Sequence, residues 1–216
     1  MGYILSLAAS MMEGVKYTVG LFCITLLLSI PLGLLLTLLR NHRNPILRGV
    51  TGFYIWVMRG TPLMLQLFFF YFGLPNVPVI GQYLVMERFQ AAILTFVLNY
   101  AAYFCEIFRG GILSVEAGQY EAAQVLGFSR WQTNLKIVFP QMLRVSLPSI
   151  SNECITLVKD TALITAISVT EILYFAKAAV NRDTDATAYV VAAVFYLIMT
   201  YGLTKLFDWL EKKFSY

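Results

Sequence analysis

Residues 17–39 read YTVGLFCITLLLSIPLGLLLTLL, a run without a single charged side chain. A helix needs about 20 mainly apolar residues to cross the roughly 30 Å hydrocarbon layer of a bilayer, and this run is long enough. The rest of the chain agrees with it. Of 216 residues, 59% are hydrophobic and 13% charged, and mean hydropathy is +0.70. Soluble chains carry about 25% charge, so this one has too little polar surface to coat a body in water. Its expected solvent is lipid. Gly (14) and Pro (7) are ordinary, which excludes collagen-like and low-complexity chains, and three cysteines without CxxC spacing exclude a disulfide scaffold. Cys23, Cys105 and Cys154 fall in apolar runs, which points to packing.

Four further stretches of spanning length follow, at about residues 49–72, 89–108, 145–170 and 186–204. The expected fold is all-α: a polytopic membrane helical bundle of five transmembrane helices, one domain over residues 1–216. Lys and Arg in short loops favour the cytoplasmic side. One set of connections holds Arg40, Arg43, Arg48, Arg109, Arg130, Lys136, Arg144, Lys205, Lys212 and Lys213, while the alternate set holds Lys16, Arg88, Lys177 and Arg182. This bias puts the N-terminus outside and the C-terminus in the cytoplasm. Residues 1–12 have no basic leader and read as a short interfacial segment ahead of the first span, not a removed signal.

The longest cytoplasmic connection, about residues 110–144, has structure of its own. Gly118-Gln119-Tyr120-Glu121-Ala122-Ala123-Gln124-Val125-Leu126-Gly127 reads as a short helix closed by a glycine suited to a left-handed conformation. Ser129 can cap a second helix with apolar residues at helical spacing as far as Val138, and Pro140 is expected to end it. Glu121-Ala122-Ala123 followed by Gly127, Ile137 and Pro140 resembles the EAA loop of ABC-type importer permeases, with Phe139 where that family usually has Leu. The resemblance continues through Arg59-Gly60-Thr61-Pro62-Leu63, Tyr71-Phe72-Gly73-Leu74-Pro75, Ala102-Tyr103, Glu106-Ile107-Phe108-Arg109-Gly110-Gly111-Ile112 and Leu157-Val158-Lys159-Asp160-Thr161. These motifs look like those of the polar amino acid subfamily, in order over about residues 15–210.

That resemblance implies a dimeric transmembrane core in a bacterial inner membrane, paired as a homodimer or with a similar permease chain. Each EAA loop would dock on an ATP-binding cassette subunit, and an extracytoplasmic amino-acid-binding protein, periplasmic or lipid-anchored, would deliver cargo. ATP and Mg would belong to the partner, leaving this chain without cofactor, metal or catalytic residue. Independently, the sequence has no GxxxxGK[ST] segment to cradle phosphates, and His42 has no second histidine with which to hold a metal. No nucleic-acid partner is expected. In the coupling role Ala122, Ala123 and Gly127 allow close approach of another surface, and Glu121 can hold the turn or pair with a basic residue there.

Ionisable residues inside a span cost about 2.5–3.5 kcal/mol near its centre on insertion scales, and face a bundle interior or a wet cavity. At about 1.5 Å per residue, Arg59 lies roughly 16 Å beyond Arg48 and Glu153 roughly 13 Å beyond Arg144, close to the midplane. Two readings stand open. Arg59 and Glu153 could form a structural ion pair, or Arg59 could bond freed carbonyls near Gly60 and Pro62. Alternatively they line a translocation site, which transporters place where helices break. A zwitterionic amino acid suits a cavity offering one cation and one anion. The resemblance does not require Glu153, since similar permeases more often have an apolar or small residue there. It therefore reads as a cargo-specific carboxylate for arginine, lysine or histidine. Asp160, seven residues on, shares its face and could extend a cationic path, with local compensation of Lys159 as the alternative. Gln66, Asn99 and Asn152 are candidate polar liners, a residue type that more often bonds between helices than to a ligand, and Met58, Leu63 and Met64 are candidate apolar walls, for which plain packing is the commoner role. Glu106 and Arg109 read as an ion pair at helical spacing near the cytoplasmic end.

The function expected is the permease subunit of an ATP-driven amino acid importer, for basic amino acids, working by alternating access. The alternative is an ion-coupled secondary transporter or channel subunit, for which five spans without an internal repeat are awkward.

Overall fold

Apolar and small residues recurring every three or four positions carry the first helix much further than its charge-free core. In a computed structural model that describes residues 2–214, α1 runs unbroken from Gly2 to Arg40. Its buried stripe is Leu7, Met11, Gly14, Thr18, Leu21, Thr25, Ser29, Gly33 and Thr37. Residues 2–12 are thus part of the first helix and not a separate interfacial segment, a correction with a simple cause. Glu13 and Lys16 interrupt the apolar run in sequence but lie on the exposed face, so they do not interrupt the stripe. Of the three cysteines, Cys105 and Cys154 are buried, whereas Cys23 is exposed on the outside of α1 and packs against nothing in the core.

The centre of the bundle is α4, Arg88–Leu113. Phe96, Tyr100, Phe104 and Phe108 repeat every fourth residue along it with ring centroids 6.3, 6.5 and 6.1 Å apart, the outer two pairs stacked and the middle pair tilted at 47°. Its start is fixed by a capping box between Glu87 and Gln90. The small residues of α1 let that helix approach α4 closely: a Cβ added at Gly33 would lie 2.7 Å from the Phe104 Cβ.

Two other crossings are broken. Helix α2, Pro45–Gly60, and α3, Leu63–Phe68, extended by a π turn and a short 3-10 turn to Asn76, meet at 106°. The span expected over residues 49–72 is thus a bent pair, broken at the Gly60–Pro62 stretch where freed carbonyls are one of the open readings of the sequence. Pro62 lacks an N–H and disfavours helical geometry at Thr61, which is extended at φ −119 and ψ 147. The other broken crossing runs from α6, Arg130–Thr133, through a π turn at Asn134–Val138 and α7, Phe139–Asp160, into a 3-10 stretch ending at Ile167. It then bends by 53° into α8, Ile172–Asp183. Pro140 therefore does not end the second hairpin helix. The preceding π turn, in which the Phe139 N–H donates to the Asn134 carbonyl, carries the helix past it. With α9, Thr187–Phe214, this gives among the described residues three continuous helices long and apolar enough to span, α1, α4 and α9, and up to five crossings when each bent pair counts once.

At the second bend Glu171 is fully buried and caps α8. Its carboxylate accepts hydrogen bonds from the Leu173 and Tyr174 N–H groups at 2.8 and 2.7 Å, from the Tyr196 hydroxyl at 2.8 Å, and from the Thr165 hydroxyl. Gly14 of α1 lies against it so closely that a Cβ there would be 2.5 Å from the Glu171 carbonyl carbon. A second apolar cluster forms around it from Leu7 and Met11 of α1, Ile172, Ala176 and Ala179 of α8, and Ala188 and Ala192 of α9. The outward faces stay apolar, as with Leu27, Leu35 and Leu38 on α1 and Val190, Val194 and Leu197 on α9, which suits contact with lipid chains.

Candidate functional site

Ending α2 at Gly60 leaves its last carbonyls without helical partners. Side chains supply them. The Thr61 hydroxyl donates to the Val57 carbonyl at 2.8 Å. The Gln66 amide donates to the carbonyls of Met58 and Thr61 at 2.8 and 3.2 Å, and the Asn99 amide donates to the Met58 carbonyl at 2.9 Å and to the Gln66 Oε1 at 3.0 Å. Gln66 and Asn99 thus tie the broken crossing to α4. Gln66 stays out of the cavity lining, Asn99 is buried at its wall, and Met58 packs against Ile55, Ala102 and Cys105.

The bend opens a cavity of about 430 Å³ beside it. Residues 59–63 form one wall, Asn99, Tyr100 and Tyr103 of α4 a second, and Glu153, Thr156 and Asp160 of α7 the third. The last three are spaced three and four residues apart, which places them on one helical face. Asp160 accepts a hydrogen bond from the Tyr100 hydroxyl at 2.8 Å, and Lys159 beside it is exposed. A second cavity, of about 400 Å³, shares Arg59, Tyr103 and Glu153 with the first and adds Glu106, Ser146 and Ser149 among its walls. A cavity of about 470 Å³ lies apart from both, around Tyr71, Arg88 and Ser168, without Glu153 or Asp160.

Arg59 and Glu153 are neighbours across these cavities, but the ion-pair contact of Arg59 is with Glu106, at 3.9 Å. Its guanidinium lies 5.2 Å from the centroid of the Tyr103 ring. Glu106 is held far more tightly by Arg109, through three hydrogen bonds of 2.7–3.2 Å. The carbonyls at the break are served by Gln66 and Asn99, not by Arg59. Leu63 lines the first cavity, and Met64 is exposed outside it. Sequence reasoning followed charges and so missed Tyr100, Tyr103 and Thr156. The available signal was their spacing: Thr156 lies on the Glu153–Asp160 face, and Tyr100 and Tyr103 are one helical turn apart.

At one end of the bundle the hairpin forms as two helices. Helix α5, Ala117–Val125, closes with Gly127 at φ +75; the Phe128 N–H donates to the Ala123 carbonyl and the Gly127 N–H to that of Gln124, each at 3.0 Å. This is a Schellman closure, and a glycine takes its left-handed residue without strain. Ser129 then caps α6 in a capping box with Gln132. Ala123 is buried, while Glu121, Ala122, Gly127 and Pro140 are exposed, together with the apolar side chains of Val125, Leu126 and Trp131.

Five crossings, two of them broken, with a charged cavity at the first break and an exposed hairpin at one end, define a membrane transport subunit. The chain belongs to the family described as binding-protein-dependent transport system inner membrane component, whose model matches residues 6–216. It is 36% identical over 205 residues to the probable amino-acid ABC transporter permease protein YckA of Bacillus subtilis, covering 94% of this chain and 88% of that one. It is 35% identical over 204 residues to the glutamine transport system permease protein GlnP of Escherichia coli, covering 94% and 92%. Other relatives at 34–35% identity are named for cystine, octopine and arginine. Its fold matches a crystal structure of an amino acid ABC transporter with histidines at a TM-score of 0.88 and 27% identity, covering 98% of this chain and 97% of that one.

Proposed function

We propose that this chain is the permease subunit of an ATP-driven importer whose cargo is a basic amino acid: arginine, lysine or histidine. The observation that carries the reading is one cavity at a broken crossing with Glu153 and Asp160 on one wall and Arg59 on another. Its volume of about 430 Å³ falls within the range of about 300–1,000 Å³ usual for small-molecule sites. In this reading Glu153 receives the cationic side chain, Asp160 continues the acidic wall, and Arg59 receives the cargo carboxylate. Leu63 lies along the aliphatic stem, while Met58 packs against Ile55, Ala102 and Cys105 outside the lining. Gln66 and Asn99 keep the break in shape, so that Arg59 and Leu63 are held at the cavity. The cargo names of the relatives are diverse, so the preference for basic amino acids rests on Glu153 and Asp160 alone.

Energy comes from a separate ATP-binding subunit, which holds ATP and Mg. It docks on the hairpin, where Ala122 and Gly127 leave room, Glu121 is available to a basic partner, Ala123 packs inward and Pro140 lies exposed just beyond the π turn. The hairpin end is cytoplasmic, so the N-terminus is outside and the C-terminus inside. A second copy or a similar permease completes the passage, and an extracytoplasmic amino-acid-binding protein loads it. The test is stimulation of ATP hydrolysis by each of the twenty amino acids in the reconstituted complex, for wild type and Glu153→Ala. Arginine, lysine and histidine should stimulate the wild type and lose that effect in the variant. Undiminished stimulation would remove Glu153 from the site.

A further inference from the structure

Arg59 is placed as a cation with a weak partner. It is the penultimate residue of α2, with the chain turning away just beyond it. Its 3.9 Å approach to Glu106 is well outside the roughly 2.7–2.9 Å of a formed Arg–carboxylate hydrogen bond. Among the described residues its guanidinium makes no hydrogen bond; it has that approach, the contact with the Tyr103 ring, and the Glu153 carboxylate facing it across the cavities at longer range. Glu106 has little more to give, because both its oxygens already accept from Arg109. The free carboxylate of an amino acid in the first cavity would be a better partner than Glu106. Arg59 also stands on the boundary of the two cavities, being one of the three residues they share.

Glu106 sits on the last two turns of α4, the part locked to the start of α7. A Cβ at Gly111 would lie 2.9 Å from the Met142 carbonyl oxygen, and the Ser146 hydroxyl donates to the Ile107 carbonyl at 3.3 Å. Only residues 114–116 separate α4 from α5 and the hairpin.

Resting on the reading of the first cavity as the cargo site, we propose that Glu106 is a latch for Arg59, released when the α-carboxylate of the cargo takes the guanidinium. Without cargo, the latch holds the end of α2 to α4 and keeps a cation between the cavities. With cargo, Arg59 leaves Glu106, and the change is felt at the end of α4 that leads into the hairpin. Glu106 is a positioning residue here and does not touch cargo.

The test uses the permease copurified with its ATP-binding subunit and reconstituted in liposomes, with L-arginine and agmatine, which is arginine without its carboxylate, as probes. In wild type, L-arginine should stimulate hydrolysis more than agmatine does. Glu106→Gln, which can still accept from Arg109, should raise hydrolysis in the absence of amino acid. It should also lower the half-stimulating L-arginine concentration about two- to fivefold, the scale of a half-exposed ion pair, and narrow the difference between the probes. Should Glu106→Gln fail to assemble, Arg59→Gln decides instead, since it should abolish the difference. Equal stimulation by the two probes in wild type, or an unchanged difference in whichever variant assembles, would overturn the latch. Glu153→Gln separates the two ideas: undiminished arginine stimulation there defeats the cargo assignment while leaving the arginine–agmatine comparison readable.

Discussion

Glu171→Ala should be the most damaging single change at the second bend. The carboxylate is fully buried and accepts four hydrogen bonds: two from the first turn of α8, one from Thr165 just before the bend and one from Tyr196 of α9. Alanine removes a helix cap, a loss of about 0.5–2 kcal/mol. It also takes the carboxylate acceptor from the Tyr196 hydroxyl, which adds about 1–3 kcal/mol where the nearby Thr18 and Thr161 hydroxyls do not replace it. The sum is about 1.5–5 kcal/mol. Glutamine keeps the shape and one carbonyl oxygen for the backbone donors, and its amide can donate to a hydroxyl that turns to accept, so it should cost about 1 kcal/mol. For a chain of this size 1 kcal/mol corresponds to about 2–4 °C. Thermal unfolding of the detergent-purified complex should therefore drop by roughly 3–20 °C for alanine and by a few degrees for glutamine. Alanine melting like wild type, or glutamine melting like alanine, would refute the account of Glu171 as a hydrogen-bonded cap.

Two further outcomes are expected. Gln66→Leu removes the donor to the Thr61 carbonyl and the acceptor for Asn99, and should lower stability by about 1–2 kcal/mol; it should also raise the cargo concentration for half-maximal uptake, because the break carries Arg59 and Leu63. An unchanged melting temperature and uptake curve would count against it. Gly127→Val meets no neighbour but must hold φ near +75, a strain of about 1–2 kcal/mol in the hairpin. The ratio of transport to ATP hydrolysis should fall in this variant and recover with Asn, which tolerates that conformation; equal ratios for the two would refute a conformational cause.

How much of this was legible from residues alone depended on which property each element advertises. Residues 17–39 announced a crossing through hydropathy, and Gly127 and Ser129 announced the hairpin through turn and cap chemistry. A break at residues 60–62 was suggested by Gly60 and Pro62, but its 106° angle was not, because a hydropathy window averages across Pro62, whose effect is on the backbone and not on polarity. Residues 2–12 were misjudged because Glu13 and Lys16 look like a boundary in sequence, though on a helix they share only its outer face. Glu171 escaped notice by lying just past the apolar stretch ending at residue 170. Nothing local signals its burial, since two of its donors, Thr165 and Tyr196, come from other elements. At the site, the shared face of Glu153 and Asp160 was visible from their spacing, but the preference of Arg59 for Glu106 depends on the direction in which α2 ends.

Helix α1 is longer than a membrane is thick. Its 39 residues measure about 58 Å at 1.5 Å each, against about 40–45 Å for a bilayer with its headgroups. To keep both tips at the two interfaces it must lean by about 40°, the upper end of observed tilts. A rod inclined that steeply sweeps its tip by about 10 Å for each 10° of rocking. Because α1 is also the piece that touches both apolar clusters, α4 on one side and the α8–α9 pair on the other, it behaves as the keel of the subunit. Since Gly14 of α1 lies directly against Glu171, any rocking of the keel carries the second bend with it.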